Sequence, residues 1–554
     1  MYTDARLVIA DQPSTSKLDV VTVVPSNLSA EPSLIDKSSQ HIVLVRPAGV
    51  SSKGTWNIPF TPPIGLAYLA GMIREDGFRV SIVDSMGEAP KQFLTEGNYI
   101  YQGLTIDECV DLIAPDATVI GVTCMFTQEW LYARALIRAI RRRFPHVLLI
   151  AGGEHITGCT DYSLRDCPEL DLCVRGEGEE TLREIARCLG DIERARKLPG
   201  VAWIDRDLPD QPYRQAPPRA RIRAIDDLPW PAWDLVPVET FVTSDNAYGV
   251  NRGRTLAALA TRGCPYKCTF CSNPLMYGNL WQARNPEKLI EEIEEFIRRY
   301  QIQNFDFYDL TMVLKKEWIL DFCRLVRERN LKITWQLPAG TRSEVIDDEI
   351  AAALYESGAR NITYAPESGS VETLAKIKKR VNLTRLLVSI KSAVRNKLRV
   401  KCSLIIGFPH ENRTSVFQTM LFAWKSAWVG VDAVECMVFT PYPGSELFDE
   451  LRAEGRVPEL NDDYIRSMAA FLDPFVPSHY CKHISGYELM AWRWAIMLSF
   501  FAVSFTIRPW RFARLVMSLF NRNPETVVEN RLSAMLRRPK AKQAQVVEVA
   551  EPVS

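Results

Sequence analysis

The stretch "TRGCPYKCTFCS" (Thr261–Ser272) decides the fold of the second half of this chain. It sets Cys264, Cys268 and Cys271 in a C-x3-C-x2-C spacing. It directly follows "TLAALA" (255–260), an apolar run of the length of a buried strand. Three soft ligands in one loop are one fewer than a closed structural zinc site uses. The next cysteine is Cys323, and no histidine lies between His155 and His410. Three readings stand at this point: a zinc site completed by a distant ligand, three unrelated buried thiols, or an iron–sulfur cluster on three thiolates with one iron open. Gly263, Pro265 and Lys267 suit a loop wrapped round something better than a packed strand. An open position is what a catalytic metal centre keeps. The interleaved Tyr266 and Phe270 would shield such a centre from water.

Downstream of the loop, strand and helix patterns alternate. "NPEKLIEEIEEFIRRYQ" (285–301) carries a helical apolar stripe, and "NFDFYD" (304–309) reads as a strand. The series continues through "KITWQLPAGTR" (332–342), "RNITYAPESGS" (360–370), "RVKCSLIIGFPHEN" (399–412) and "VDAVECMVFTPYPGSEL" (431–447), with helical stretches between. About six strand–helix units, fewer than the eight of a closed barrel, predict a partial (β/α)6 TIM-like barrel over 251–455. The Cys loop then lies where active sites of such barrels lie, at a strand's C-terminal end.

Upstream, "HIVLVRP" (41–47), "RVSIVD" (79–84), "ATVIGVTC" (117–124), "VLLIAGGEH" (147–155) and "DLCVRGEG" (171–178) alternate with helical segments. That pattern predicts an α/β domain over 41–195, a doubly wound, Rossmann-like parallel sheet. Residues 196–250 are Pro-rich and read as a linker, with Trp230 and Trp233 as packing residues. Residues 1–40 read as a disordered leader and 535–554 as a disordered tail. Residues 456–534 read as a mostly helical C-terminal region that caps the barrel mouth or docks on a membrane. Its uncharged run from Trp494 to Ile507 is shorter than a bilayer span. A buried helix is the plain reading, and the basic, aromatic "RPWRFARLVMSLFNRN" that follows keeps a surface-docking helix in play.

The 554 residues exceed one core and imply two or three domains. Sixty-seven basic and 67 acidic side chains cancel, which removes any electrostatic case for nucleic acid as a partner. The start lacks a basic segment followed by an apolar one, and the thirteen cysteines are scattered outside the loop. A cytoplasmic chain with reduced thiols is the expectation.

The Cys spacing after the first strand of a partial barrel resembles the radical S-adenosylmethionine superfamily. The resemblance implies a 4Fe–4S cluster on Cys264, Cys268 and Cys271, whose open iron takes S-adenosylmethionine. One-electron reduction then yields a 5′-deoxyadenosyl radical. "YAPESGS" (364–370) resembles the family's E-S-G-S turn, which implies that Glu367 and Ser368 hold the nucleoside. "LIIGFPHE" (404–411) resembles the strand end bordering the adenine, which brings in Gly407. "LPAGTRSE" (337–344) resembles the turn whose arginine, here Arg342, faces the active site or forms a structural salt bridge. Tyr266 and Phe270 border the cofactor on the same reading. One departure is Leu310, where a second acid is common, and it leaves Asp309 without an assigned role.

The N-terminal domain resembles the cobalamin-binding domain of the cobalamin-dependent radical subgroup, and the likeness spans about residues 41–450. It implies that Thr123 contacts the nucleotide tail, and that Gly152, Gly153 and Glu154 in "GGEHIT" and Gly176 and Glu177 in "RGEGEETL" border it. A bulky tail passing close to backbone needs residues without side chains, and turn amides favour its phosphate. The D-x-H-x-x-G signature that supplies a lower cobalt ligand is absent, and His155 in the Gly turn is not read as that ligand. Cobalamin would then bind with its lower face open, or the domain has lost its cofactor. No G-x-G-x-x-G follows the first strand, which argues against a dinucleotide site.

Together the resemblances imply methylation of an unactivated carbon on a small-molecule, lipid or tetrapyrrole-like substrate, with a flavodoxin or ferredoxin as electron donor. The alternative is radical ring closure or rearrangement, as in the anaerobic porphyrin cyclase that the chain also resembles. Methylthiolation would need a second cluster, and the N-terminal cysteines are not grouped for one. A non-catalytic cobalamin- or zinc-binding protein is the reading from another class.

Overall fold

A computed structural model describes residues 37–55, 59–342, 344–478, 480–521, 524–537 and 542–543, and residues 37–554 form one unit. Most of the expected leader and tail lies outside the described residues. The final helix runs to Arg537, past the expected boundary at 534, and Lys542–Gln543 pairs with Phe93–Glu96.

The N-terminal sheet holds β1 (His41–Arg46), β2 (Arg79–Asp84), β3 (Val119–Thr123), β4 (Leu148–Gly152), β5 (Leu172–Val174), β6 (Val201–Ile204) and β7 (Tyr213–Gln215). Their order is β7-β6-β5-β4-β3-β1-β2, parallel from β2 to β5. Strands β1, β3, β4 and β5 are rich in Val, Ile and Leu and buried on both faces, as a helix-covered parallel sheet requires. Helices α1 (Ile64–Glu75), α2 (Trp130–Arg143) and α3 (Glu179–Arg187) supply that cover. The strand order reverses at β1, and the C-terminal ends beside such a point form the ligand crevice.

The expected linker is corrected in part. Residues 201–204 and 213–215 add two antiparallel strands to the sheet, because Val201, Ala202 and Ile204 find buried places on its edge. Trp233 is fully buried, and the Ala232 amide donates to Ala67 O on α1 at 2.9 Å. Trp230 is more exposed but meets Phe296 edge-on at 6.2 Å. The segment therefore packs the two domains together.

The second sheet runs β8 (Thr255–Ala258), β9 (Asn304–Phe307), β10 (Thr334–Thr341), β11 (Ala359–Glu367), β12 (Arg399–Ile406) and β13 (Ala433–Val438), all parallel and in sequential order. Helices α4 (Pro286–Tyr300), α5 (Lys316–Glu328), α6 (Asp348–Glu356), α7 (Leu383–Arg395) and α8 (Arg413–Val429) lie between them. Their starts are legible in sequence: Asn285, Asp347, Asn382 and Asn412 each accept a backbone N–H at the helix N-terminus. Gly430, at φ +118, ends α8 in the left-handed region. The result is the six-stranded partial barrel that the pattern predicts.

The lower interior of the barrel is filled by polar groups that satisfy one another. Asp306 accepts from Gly249 N at 2.8 Å, Gln336 at 2.7 Å and Asn304 at 3.0 Å. Glu435 bridges Lys401 at 3.0 Å and Arg531 at 2.7 Å. Burial works against the Glu435 charge, yet those two cations hold its carboxyl well below the usual range. This filling leaves the strand C-terminal ends as the open face. After the barrel come α9 (Gly486–Ile507), which packs along α8, then α10 (Trp510–Asn521) and α11 (Val527–Arg537), whose Arg531 reaches into the barrel floor.

His155 sits under the β4 turn, only 1 % exposed, between Thr127 Oγ1 at 3.2 Å and Ser163 Oγ at 3.4 Å and against the Trp130 ring. It faces the core, which fits the reading that it is no cobalt ligand. Burial pushes its pKa down to about 3 from the usual 6.5. The unfolded chain takes up that proton first, so the contribution is complete above pH 6.5 and is lost as pH falls toward 3. Between pH 7 and 5 the wild type should lose about 2 kcal/mol of stability through this group. His155→Gln, which keeps both hydrogen bonds within reach, should flatten that part of the profile in urea titrations.

Candidate active site

The Cys loop is built by its backbone. Asp309, just beyond β9, accepts from Ala260 N at 3.1 Å and from both the amide and hydroxyl of Thr261. Burial lifts the Asp309 pKa to about 6 although these donors oppose the rise. Gly263 has φ +80, and a Cβ there would lie 2.1 Å from Leu280 O, so only glycine makes this turn. Further on, Thr269 N donates to Ile377 O at 3.1 Å, and Thr269 O accepts from Leu447 N at 2.8 Å.

Cys264, Cys268 and Cys271 are partly exposed, whereas each of the other ten cysteines is buried. Burial raises all three thiol pKa values, Cys271 to about 12; Cys264 adds to the rise at Cys268, and both add to it at Cys271. Lys379 and Arg342 pull Cys264 and Cys268 back down. Among the described residues no three His, Cys, Asp or Glu side chains converge on a single ion position. A lone zinc would want its sulfurs drawn in to about 2.3 Å. Three free, adjacent thiols beside two cations fit a multi-iron cluster, which spaces its thiolates around itself.

The walls come from later strand ends. The Arg342 guanidinium lies 3.7 Å over the Tyr266 ring, and its Nε approaches Glu344 at 3.4 Å. Arg342 Nη1 is buried and unpartnered among the described residues. Glu367 ends β11 at φ +63, a conformation rare outside glycine, where the β11–β12 register shifts. Its carboxylate pairs with Lys379 at 2.8 Å, both groups buried. Burial opposes the Lys379 charge, but Glu367 and Cys268 together lift its pKa above the usual value. Ser368 turns into the wall, bonding Thr419 at 3.0 Å and accepting from Ser370 N at 3.1 Å. Gly407, at φ +86, donates to Glu411 at 2.6 Å, and Phe408 N donates to the same oxygen at 3.1 Å. Burial raises Glu411 to about 7 against these donors. Phe270 meets Phe408 at 5.7 Å and closes the apolar side.

The N-terminal sheet brings its own strand ends to the same loop. Thr123 sits in register with Gly152 at the ends of β3 and β4. Gly153 has φ +118, and a Cβ there would lie 2.3 Å from Cys124 O. A Cβ at Gly152 or Gly176 would meet nothing nearer than 3.8 Å, so the backbone there is open to a close-lying group. Met125 and Phe126 stand half exposed on the same edge. Bare turn backbone beside exposed apolar side chains suits a cobalamin tail and its ring. Glu154 accepts from the hydroxyl of Ser272, the neighbour of Cys271, and Thr127 N donates to Tyr442 OH at 3.0 Å. Glu177 is committed to protein partners: Arg221 at 2.6 Å, Arg262 at 3.3 Å and Ile222 N at 3.0 Å. Arg262 also pairs with Glu179 at 2.7 Å and lies over the Tyr68 ring.

The twelve residues expected at the cofactors come from the Cys loop and from the strand ends of the two sheets; Glu154, Glu177, Glu367 and Ser368 have their side chains on protein partners. Sequence reasoning missed four residues. Arg262 stood in the opening stretch unassigned. Lys379 was hidden in the basic run "KIKKR", Asp309 was set aside because of Leu310, and Glu411 lay unassigned in "GFPHE".

Comparison with known proteins agrees with this geometry. The B12 binding domain family matches residues 59–186, and the Radical SAM superfamily matches residues 259–423. An uncharacterized methyltransferase of Pyrococcus horikoshii is 30% identical over 70% of this chain and 78% of its own length. The anaerobic magnesium-protoporphyrin IX monomethyl ester cyclase of Cereibacter sphaeroides is 24% identical over 75% of this chain and 64% of its own. The radical S-adenosylmethionine methyltransferase TsrM of Kitasatospora setae, solved with cobalamin and a 4Fe–4S cluster, shares the fold. Its TM-score is 0.58 at 14% identity, covering 76% of this chain and 79% of TsrM. With both domains matched in this order and three free thiols at their junction, the chain belongs to the cobalamin-dependent radical S-adenosylmethionine enzymes, whose cofactors are a 4Fe–4S cluster, S-adenosylmethionine and cobalamin.

Proposed function

We propose that this cytoplasmic enzyme methylates an unactivated carbon of a small-molecule or lipid substrate, drawing electrons from a flavodoxin- or ferredoxin-type donor. The observation that carries the reading is the junction itself, where Ser272 beside Cys271 donates to Glu154 on the glycine edge of the N-terminal sheet. When bound, the cluster with S-adenosylmethionine supplies a carbon radical that removes a substrate hydrogen, and cobalamin supplies the methyl group. The chain's own residues position and protect. Cys264, Cys268 and Cys271 would hold the cluster. Lys379 and Arg342 place positive charge beside Cys264 and Cys268 and so favour the deprotonated thiols that metal ligation requires. The unpartnered Nη1 of Arg342 is a donor for a carboxylate, the group at the amino-acid end of S-adenosylmethionine. Glu411 holds the Gly407 turn closed through two amides. Phe270, Phe408 and Tyr266 exclude water. Thr123, Gly152, Gly153 and Gly176 would border the cobalamin tail. Apolar faces exposed on the C-terminal helices support a lipid substrate and peripheral membrane contact.

The cyclase relative favours a second reading, ring closure with the same cofactors. Products of S-adenosylmethionine separate the two. Under anaerobic reduction a methyltransferase should accumulate both 5′-deoxyadenosine and S-adenosylhomocysteine and carry deuterium from the labelled methyl group into the substrate. Formation of 5′-deoxyadenosine alone, with an unlabelled product, would favour ring closure.

Replacing Cys264, Cys268 or Cys271 singly by Ala should abolish 5′-deoxyadenosine formation and strip iron. Bound cobalamin, followed by its visible spectrum, should remain. Cleavage retained in any of the three would remove the assignment.

A further inference from the structure

The C-terminal helices are amphipathic the wrong way round for a water-facing surface. In α10 both charged side chains turn inward. Arg511 is buried and donates to the Gly430 and Val431 carbonyls at 2.7 Å each, and Arg514 pairs with Glu529 at 2.8 Å. The outer face carries Trp510, Phe512, Val516, Met517 and Phe520, with Phe520 79 % and Trp510 61 % exposed. Helix α11 repeats the pattern, with Glu529, Asn530 and Ser533 buried and Met535 and Leu536 outside. Helix α9 buries Leu489, Arg493, Ile496, Phe500 and Ser504 and shows an outer face without any charge from Trp494 to Ile507. The Phe505–Phe512 ring contact at 5.6 Å joins the faces of α9 and α10 into one surface. Trp428, 70 % exposed at the end of α8, lies beside it, where Arg508 caps the Ala427 and Trp428 carbonyls.

We propose that the outer faces of α9 and α10 form a docking surface for an anionic lipid bilayer, which the protein binds peripherally. Three observations choose this occupant. The exposed side chains are dominated by Trp and Phe, the residues that settle at headgroup depth. The sequence around them is basic: beyond the four arginines bonded inward (Arg508, Arg511, Arg514 and Arg531), the stretch from 508 to 542 adds Arg522, Arg537, Arg538, Lys540 and Lys542 and holds only two acids, Glu525 and Glu529, in a protein with no net charge. Helix α9 is 22 residues long, enough to span a bilayer, but its inner stripe is packed on the barrel, and Trp424 Nε1 donates to Ser499 at 2.8 Å. It can therefore offer one face to lipid and cannot cross. The proposal is independent of the methyl-transfer chemistry, because it concerns only where the enzyme stands.

The test is sedimentation of the whole protein, cobalamin-loaded, with vesicles of phosphatidylcholine containing about one-third phosphatidylglycerol. The wild type should sediment with these vesicles, and less with pure phosphatidylcholine or in high salt. Phe512→Glu with Phe520→Glu should lower the bound fraction about tenfold or more. Trp510→Glu alone should lower it by a smaller factor. Both variants should keep the wild-type cobalamin spectrum, since these side chains already face outward. The proposal fails if the wild type stays in the supernatant or if the variants bind as well as it does. It fails equally if sedimentation velocity shows a concentration-dependent dimer that the variants dissolve, for the face is then a contact between two copies of this chain.

Discussion

Arg262 is the joint on which both halves of the site depend. It lies two residues before Cys264, with its side chain only 9 % exposed, between the carboxylates of Glu177 and Glu179. Burial alone would disfavour its charge, but Glu179 first, then Tyr277, Tyr68 and Glu177, more than restore it and hold its pKa above the usual value. Removing one partner of a buried ion pair leaves the other uncompensated, at a cost of about 3–5 kcal/mol. The joint is therefore strong in one sense only: it resists separation of the Cys loop from the glycine edge. Thr261 and Arg262 also pair as a short strand with Gln282–Ala283, and Asp309 fixes the amide of Thr261. The direction in which the three thiols leave the barrel is set before the first thiol is reached. Chemistry that needs two cofactors at one substrate carbon gains from a fixed separation of this kind.

The floor of the barrel imposes the complementary constraint. Asn304, Asp306, Gln336, Lys401 and Glu435 occupy inward positions on four strands, where a hydrophobic filling would be the simpler choice. Segment 249–252 and α11 come in from below to satisfy them, with Gly249 N on Asp306, Arg252 on Asn361 and Arg531 on Glu435. A network with every charge partnered is tolerable, and one with a partner missing is not. The last described helix is thus part of the barrel's structure and no loose appendage. A substrate is left the upper end of the barrel, where Arg342, Lys379 and the Cys loop converge.

The legible parts of this molecule are those that repeat. Alternating strand and helix periods in 41–195 and 251–455 predicted both sheets, because a parallel strand and its covering helix carry opposite periodicities over many residues. The three cysteines were legible because the chemistry needs three soft ligands within one loop. Val201–Ile204 was missed because a four-residue strand is too short to show a period, and the surrounding prolines argued for a linker. Arg262, Lys379 and Asp309 were missed for another reason. Each matters through partners 12 to 85 residues away, as in Lys379–Glu367 and Arg262–Glu177, and a charged residue shows no sign in sequence of where its counter-charge lies.

The exposed face of α9 and α10 can be read as a by-product of the floor, and the reading does not hold. The floor explains why the polar residues of α10 and α11 turn inward: Arg511 and Arg514 serve Asp432 and the end of α8, and Arg531 serves Glu435. It does not explain what stands on the other side. A helix with arginines inside is free to carry Lys and Glu outside, and nothing in the barrel requires Trp510, Phe512, Met517 or Phe520. Surface apolar residues scattered singly are ordinary, but a contiguous aromatic sheet spread over two helices is what a monomer in water avoids. Two demands meet on these helices, a polar one from the barrel floor and an apolar one from outside. The second needs a surface that the described residues do not supply.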